Sequence, residues 1–313
     1  MTAMAKFLRS AGTETRTMKR LRLGLAAAAV LGCAASFGAV AQEEGATFVP
    51  KIPERQSWSF AGPFGIYDTA QLQRGYKIYR EICSNCHSME DMHFRNLADP
   101  GGPEFSEGQV QALAAEFKVT DGPDDNGKMF KRPGRPADPF PKPFPNVQMA
   151  KLANGGGVPP DMSVLAKARS YEPYDWFPAD IGYALWSMLT QYQTQGPDYI
   201  SALLQGYTKP PAGFKIEPGQ NFNEVFAAGN GIIAMPPPLQ DGVVEYPKGP
   251  DGKPVVPETV QQYSRDVAAF LMWVAEPKLD ERKRIGLEMM IFLLVAAGLA
   301  YFVKKKVWAE AHA

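Results

Sequence analysis

The stretch Cys83-Ser84-Asn85-Cys86-His87 puts two thiols on one turn of chain and an imidazole directly after them. That spacing lets both sulfurs add to the two vinyl groups of one haem while His87 is directed at the iron as proximal ligand. Two other chemistries use similar residues. A thioredoxin-like dithiol follows a strand in a βαβ pattern, which this sequence lacks. A zinc site would have to gather Cys83, Cys86, His87 and His93, but the adjacent pair Cys86 and His87 turn with difficulty to one tetrahedral centre. The reading is one covalently bound haem c.

An iron held by His87 needs a sixth ligand from a distant part of the chain. His93, Met89 and Met92 are too close in sequence to swing around the ring, and His312 lies beyond a long apolar run. Met188 and Met272 sit in helical patterns, where core or surface packing is the ordinary role. Met289 and Met290 fall inside the apolar run, and Met1, Met4 and Met18 in a leader. Met129, Met149, Met162 and Met235 remain, in loop-like sequence. Met235 alone is followed by three prolines, Pro236 to Pro238, which fix φ near −65° and remove amide donors. Such stiffness would hold a weak thioether ligand in place, so Met235 is favoured, with ordinary loop packing as its alternative. His/Met ligation leaves no open position, so the expected chemistry is outer-sphere electron transfer.

The elements that carry these groups follow from the rest of the chain. Residues 1–41 read as a secretory signal: a basic start from Met18, a short apolar stretch, and Ala39-Val40-Ala41 before Gln42. Met18 is a second candidate start, and Cys33 a weaker lipoprotein alternative. Residues 285–303 form an apolar run close to the roughly 20 residues of a membrane-spanning helix. Arg282, Lys283 and Arg284 precede it and Lys304, Lys305 and Lys306 follow it, so the leader decides orientation. The expected organisation is a signal at 1–41, a periplasmic haem domain at 42–280, and an anchor with a short cytoplasmic tail at 281–313. The chain is then single-pass in a bacterial inner membrane. Lys+Arg and Asp+Glu balance at 33 each, but the basic residues concentrate in the leader and around the anchor. An acidic body argues against nucleic acid and for a basic partner.

Hydrophobic periodicity predicts helices over 69–83, with Leu72, Tyr76, Tyr79 and Cys83 on one face, over 178–193, and over 197–206 closed by Gly206. A last helix starts at a capping box of Thr259 and Gln262, runs to Glu276, and buries Val260, Tyr263, Val267, Phe270 and Val274. Residues 97–160 read as long loops. The fold class is mainly α: a haem domain with long loops plus one C-terminal transmembrane helix.

From about Ser57 onward the chain resembles the cytochrome c1 family, haem subunits of cytochrome bc1 complexes, in its alphaproteobacterial form. The resemblance rests on "RGYKIYREICSNCHSM", "DGPDDNGKMFKRPGRPADPFPKPFPN", "ANGGGVPPDMSVLAKAR", "LLQGY", "MPPPL" and "AAFLMWVAEPKLDERKRIGLEMMIFL", in that order. It implies a class I c-type cytochrome haem domain with Met235 as sixth ligand and Arg169 and Tyr199 beside the haem propionates. It also implies a Gly75-Tyr76 crossing against Phe270 or Trp273. The implied role is to accept an electron from the Rieske iron-sulfur protein, in a complex with cytochrome b, and pass it to a soluble or membrane-anchored cytochrome c. Glu116, Asp121, Asp124 and Asp125 would be docking groups. Another membrane-anchored mono-haem cytochrome donating to a terminal oxidase is the alternative. Residues 171–196 exceed the mitochondrial pattern, and this chain cannot form the disulfide some bacterial relatives carry there.

Overall fold

The computed structural model describes residues 48–171, 177–189 and 195–311. The leader with Cys33, and also Tyr192 and His312, lie outside them. The helices are α1 (Thr69–Glu81), α2 (Glu107–Ala115), α3 (Val147–Ala153), α4 (Leu165–Ala168), α5 (Phe177–Leu189), α6 (Gly196–Gln205), α7 (Val260–Ala275) and α8 (Leu279–Ala311). Two antiparallel ribbons pair β1 (Lys118–Asp121) with β2 (Phe130–Pro133) and β3 (Asn221–Phe222) with β4 (Ile232–Ile233).

α1 begins where the Asp68 carboxylate accepts the amide of Gln71 at 3.1 Å, satisfying one of the donors a helix start leaves free. Its buried stripe, Leu72, Gly75, Tyr76, Ile78 and Tyr79, faces α7. The crossing centres on Gly75, where a Cβ would stand 2.2 Å from the carbonyl oxygen of Asp266 and 2.5 Å from Cβ of Phe270. Tyr76 packs edge-on to Phe270 with ring centroids 5.8 Å apart. Phe270 is therefore the counterpart of the Gly75-Tyr76 pair, while Trp273 lies against Gly102. Beside the crossing, Arg74 bonds the fully buried Asp266 through Nε at 2.8 Å. Tyr246 Oη, at 2.8 Å, and Gln262 Nε2, at 2.9 Å, also donate to that carboxylate.

α7 is more central than its periodicity suggests. From Tyr263 to Val274 nearly every residue is buried, whereas Val260 is only partly so. Thr259 caps it by accepting the Gln262 amide at 3.4 Å. The Gln262 side chain turns inward to Asp266 instead of completing the expected capping box. Gly206 does end α6, but with φ −80 and not in a left-handed cap.

The region expected to be loop contains real elements. α2 opens with a reciprocal capping box of Ser106 and Gln109, a signal present in the sequence. The β1–β2 ribbon is pinned by Arg132, which pairs with Asp121 and forms a fork with both oxygens of Asp138, at 2.6 and 2.8 Å. α5 covers most of the helix expected over 178–193 up to Leu189, and residues 190–194 are outside the described set.

α8 is longer than the apolar run alone, at 33 residues, and it contains one stretch long and apolar enough to cross a membrane, Leu279–Ala309. Its first turn packs into the body of the fold. Leu279 is fully buried, Asp280 accepts the Tyr67 amide at 3.2 Å, and Lys283 Nζ donates to the carbonyls of Phe60 at 2.6 Å and Gly65 at 3.0 Å. The predicted mainly α fold with one C-terminal transmembrane helix is the fold observed.

Two outcomes follow from this packing. Gly75→Ala places a methyl against backbone that cannot yield, and should cost about 1–3 kcal/mol or more, read as a lower urea midpoint with an unchanged slope. The Arg132 fork holds the Asp138 carboxyl down at about 2, below its ordinary 3.8. A depressed carboxylate stabilises above its unfolded pKa and loses that contribution as pH falls through the folded one. The stability difference between the wild type and Arg132→Gln should stay constant above about pH 4 and shrink toward pH 2, measured by thermal melting across that range.

Candidate haem site

α1 delivers Cys83 and stops. Ser84 Oγ donates to the Arg80 carbonyl at 2.7 Å, and Asn85 Nδ2 to those of Glu81 and Ile82 at 3.0 and 3.2 Å. These bonds absorb the helix's last carbonyls and tighten the next turn, Cys83–Asn85, into a 3-10 helix. The helix thus ends before Cys83, not at it. The amides of Cys86 (3.1 Å) and His87 (2.9 Å) both donate to the Cys83 carbonyl, which folds the two thiols and the imidazole into one bend. Cys83 is half-buried and Cys86 exposed. Burial pushes the Cys83 thiol up to about 12, so it is protonated at neutral pH. Among the described residues no group of three or more His, Cys, Asp or Glu side chains is arranged to hold a metal ion by itself. The zinc alternative therefore lacks its geometry.

His87 is oriented from behind. Its Nδ1 lies 2.8 Å from the carbonyl oxygen of Pro160. A carbonyl only accepts, so Nδ1 carries the proton and the Nε2 lone pair is left for a ligand role. Burial lowers the His87 pKa against the opposing pull of the Pro160 carbonyl and Asp161, which favours the neutral imidazole. The Tyr79 hydroxyl donates to the His87 carbonyl at 3.4 Å.

Residues 88–91 are zipped to residues 161–163. The Met162 amide bonds the Ser88 carbonyl at 2.9 Å, and Asp161 Oδ2 accepts Ser88 Oγ at 2.7 Å and the Glu90 amide at 2.9 Å. Ser163 Oγ accepts the Asp91 amide at 3.1 Å. Burial alone would raise the Asp161 carboxyl, but hydrogen bonds from Ser163, Ser88 and Glu90 outweigh it and hold the group ionised. The same loop reaches the Met235 side. A Cβ on Gly157 would be 3.4 Å from Cβ of Ala234, an ordinary contact. Gly157 and Pro160 are separated by three residue steps, at most about 10 Å of chain. One loop therefore bonds His87 and passes close to the neighbour of Met235.

Met235 follows β4 by two residues and is partly exposed. Its carbonyl accepts the Tyr207 hydroxyl at 3.2 Å and Asn221 Nδ2 at 3.4 Å. The prolines are thus one of two restraints, and Tyr207 and Asn221 are the other. Pro236 and Pro237 are exposed, Pro238 partly so, and Leu239 seats the end of the loop in the core. The remaining loop methionines are elsewhere. Met129 and Met149 point to solvent, and Met162 is buried in the core two residues from Pro160.

Arg169 and Tyr199 are brought together by α4 and α6. Gly196 lets the start of α6 press on the Ala166 carbonyl of α4, and Arg169 lies near enough that its charge counters the upward effect of burial on the Tyr199 hydroxyl. The Arg169 side chain is exposed and no described residue supplies it a hydrogen-bond acceptor. A guanidinium fork within electrostatic reach of a phenol would suit a carboxylate such as a haem propionate. The donor set fits a c-type haem: two thiols, a pre-oriented neutral imidazole, a restrained thioether and a cation near a phenol. A separate cavity of about 310 Å³ lies beside α1, lined by Tyr76, Tyr79, Phe94, Phe117, Phe140 and Lys142 among others; neither His87 nor Met235 lines it.

Pro160, Asp161, Tyr207 and Asn221 were not legible as site residues. The first two lie in the quoted "ANGGGVPPDMSVLAKAR" stretch and Tyr207 closes the quoted "LLQGY", signals of importance without a role, whereas Asn221 gave no signal.

Comparison with known proteins agrees with this geometry. The Cytochrome C1 family profile matches residues 58–311. The chain is 52% identical over 262 residues to a cytochrome b/c1 of Bradyrhizobium diazoefficiens, covering 83% of this chain but 36% of that protein. This chain thus spans about a third of that relative's length. It is 42% identical to a cytochrome c1 of Blastochloris viridis, over 92% of this chain and 96% of that protein. It is 37% identical to a mitochondrial cytochrome c1-2, heme protein, of Solanum tuberosum, over 92% and 95% of the two chains. By the extent of the profile match and the near full-length similarity to these relatives, this chain belongs to the Cytochrome C1 family.

Proposed function

We propose that this chain is the haem subunit of a cytochrome bc1 complex, accepting one electron from the Rieske iron-sulfur protein and passing it to a soluble or membrane-anchored cytochrome c. The observation that carries the reading is the loop that orients His87 through Pro160 and passes close to Ala234 beside Met235. Cys83 and Cys86 would hold one haem c covalently, His87 and Met235 would be its axial ligands, and Arg169 with Tyr199 would meet its propionates. A haem so held supplies one-electron transfer with no position open to oxygen or peroxide.

The chain's own residues do the positioning. The Pro160 carbonyl fixes the His87 tautomer, and the bonds from Tyr207 and Asn221 limit how far Met235 can recoil. The junction with the anchor bears on the same site. Glu276, just after α7, pairs with Lys167 of α4 at 2.6 Å and with Arg282 of α8 at 2.5 Å. Burial opposes ionisation of Glu276, but its bonds to Lys167 and Arg282 prevail and keep its pKa low. The segment carrying Arg169 is thereby tied to the membrane helix.

The relatives named cytochrome b/c1 and cytochrome c1 favour this complex over a free-standing donor to an oxidase, with cytochrome b as the membrane partner. Residues 1–41 would export residues 42–280 to the periplasm, with 281–313 as the inner-membrane anchor and cytoplasmic tail. Of the acidic docking candidates, Glu116 and Asp121 are already paired with Arg80 and Arg132, and Asp124 accepts the amides of Asn126 and Lys128 at 2.9 and 2.8 Å. Asp125 and the free oxygen of Asp124 are the stronger candidates.

Met235→Leu should keep haem covalently bound, with an unchanged pyridine haemochrome spectrum. Its reduction potential should fall by on the order of 0.1 V, within the roughly 0.8 V that axial ligands span. An unchanged potential excludes Met235 as ligand, and absence of covalent haem in the wild type sinks the whole reading. In stopped-flow mixing of the reduced complex with a basic cytochrome c, raising salt from about 0.05 to 0.2 M should slow electron transfer several-fold through screening. A salt-independent rate contradicts acidic docking.

A further inference from the structure

The turn before α1 holds two large apolar side chains in the open. Phe64 is 76% exposed and Ile66 63%, while Phe60 and Tyr67 on either side of them are buried. The turn is stiff. A Cβ on Gly65 would stand 2.0 Å from the Ala61 carbonyl, so the backbone folds back on itself between the two exposed residues and only glycine fits. Phe60 stacks on Trp58 with centroids 5.4 Å apart and contacts Tyr67 at 5.1 Å, so the inward side of the turn is spoken for. Among the described residues its outward side has no neighbour that covers Phe64 and Ile66.

The same turn is bolted to the root of the membrane helix. Lys283 Nζ reaches the carbonyls of Gly65 and Phe60, and Asp280 accepts the amide of Tyr67. The apolar run begins two residues after Lys283, at Ile285, a rise of about 3 Å along the helix, and its one charged residue, Glu288, reaches back toward Arg284 at 3.9 Å. From there to Val303 it extends about 28 Å, close to the roughly 30 Å of a hydrocarbon core, so that core begins near Ile285. A helical side chain leans toward the N-terminus, which places the Gly65 carbonyl about one turn outside that level, in the headgroup band. Residues such as Phe and Leu on interfacial segments sit about 5–10 Å into this boundary.

We propose that the turn at Phe64, Gly65 and Ile66 is a second membrane contact of the haem domain, with Phe64 and Ile66 seated in the lipid interface beside the point where α8 enters. Together with α8 it would give the domain two points of attachment and fix its tilt over the bilayer. The proposal rests on the membrane helix and its hydrogen bonds to the turn, and is independent of the haem assignment.

The test uses the full chain in its purified complex, reconstituted in phosphatidylcholine–phosphatidylglycerol nanodiscs. A nitroxide is placed at Phe64→Cys, at Ile66→Cys, or at Val255→Cys, an exposed control near the far end of α7. The unmutated protein controls for labelling of Cys83 and Cys86. Collision rates with oxygen, which concentrates in lipid, and with a water-soluble nickel chelate are then compared. The expected result is an oxygen-to-nickel ratio several-fold higher at 64 and 66 than at 255. A ratio equal to that at 255 means the turn faces water and overturns the proposal. Shielding from both reagents means that a protein neighbour covers it, and overturns it equally. If covalent haem proved absent while the high ratio persisted, only the functional reading would fail.

Discussion

Everything that positions the candidate site hangs from the contact between α1 and α7. Gly75 allows two backbones to touch where any side chain would hold them apart, and the Tyr76–Phe270 pair fills the space beside it. The buried ion pair of Arg74 and Asp266 lies next to this contact. Burying two charges is expensive, and such a pair seldom adds much net stability, but breaking one side of it costs roughly 3–5 kcal/mol. Here the carboxylate is also served by Tyr246 and Gln262, so its lone pairs are satisfied without water. The arrangement is better understood as fixing the register of α1 on α7 than as a reservoir of stability. That register decides where Cys83 emerges at the end of α1.

From there, order passes to the site through hydrogen bonds instead of helices. The bend Cys83 to His87 closes on the Cys83 carbonyl, and residues 88–91 just after it are paired with residues 161–163 of the facing loop at nearly every step. Such pairing lets loops be as precise as helices, because each unpaired buried amide would cost more than the bond it forgoes. Met235 is restrained twice over, by prolines that narrow its backbone freedom and by two side chains that grip its carbonyl. A thioether is a weak ligand, and a loop that loses little entropy on binding keeps more of that weak interaction.

The membrane helix is not a passive tether. Its first turn is part of the domain core, with Leu279 buried, with Asp280 and Lys283 bonded to the turn before α1 and with Arg282 bonded to Glu276. Glu276 stands between α4 and α8 and couples the Arg169 segment to the anchor through two ion pairs. A subunit that must present a cofactor at a set height above a bilayer gains from a junction of this kind, since a flexible linker would spread its position over many ångströms.

The sequence by itself determined the family, the mainly α class and the long apolar C-terminal helix. A Cys-x-x-Cys-His bend, a methionine before three prolines and a long apolar run are local patterns whose meaning depends on spacing alone. The faces of α1 and most of α7 were legible for the same reason, because burial repeats with the helical period. α2 and the β1–β2 ribbon were passed over as loop. The Ser106–Gln109 capping box was visible and unused, whereas the ribbon is held by an Arg132 fork that no local pattern announces. What only the tertiary structure decided was the partner of each group: Phe270 rather than Trp273 for Gly75, Asp266 rather than a cap for Gln262, and Pro160 for His87. Those choices join residues from 4 to 195 positions apart in the chain and depend on which carbonyl or side chain the packed core brings within about 3 Å, a distance at which hydrogen bonds form and beyond which they fade. Met235 shows both levels at once: its stiffness could be read from the three prolines, but the grip of Tyr207 and Asn221 on its carbonyl exists only once β3, β4 and the end of α6 are folded together.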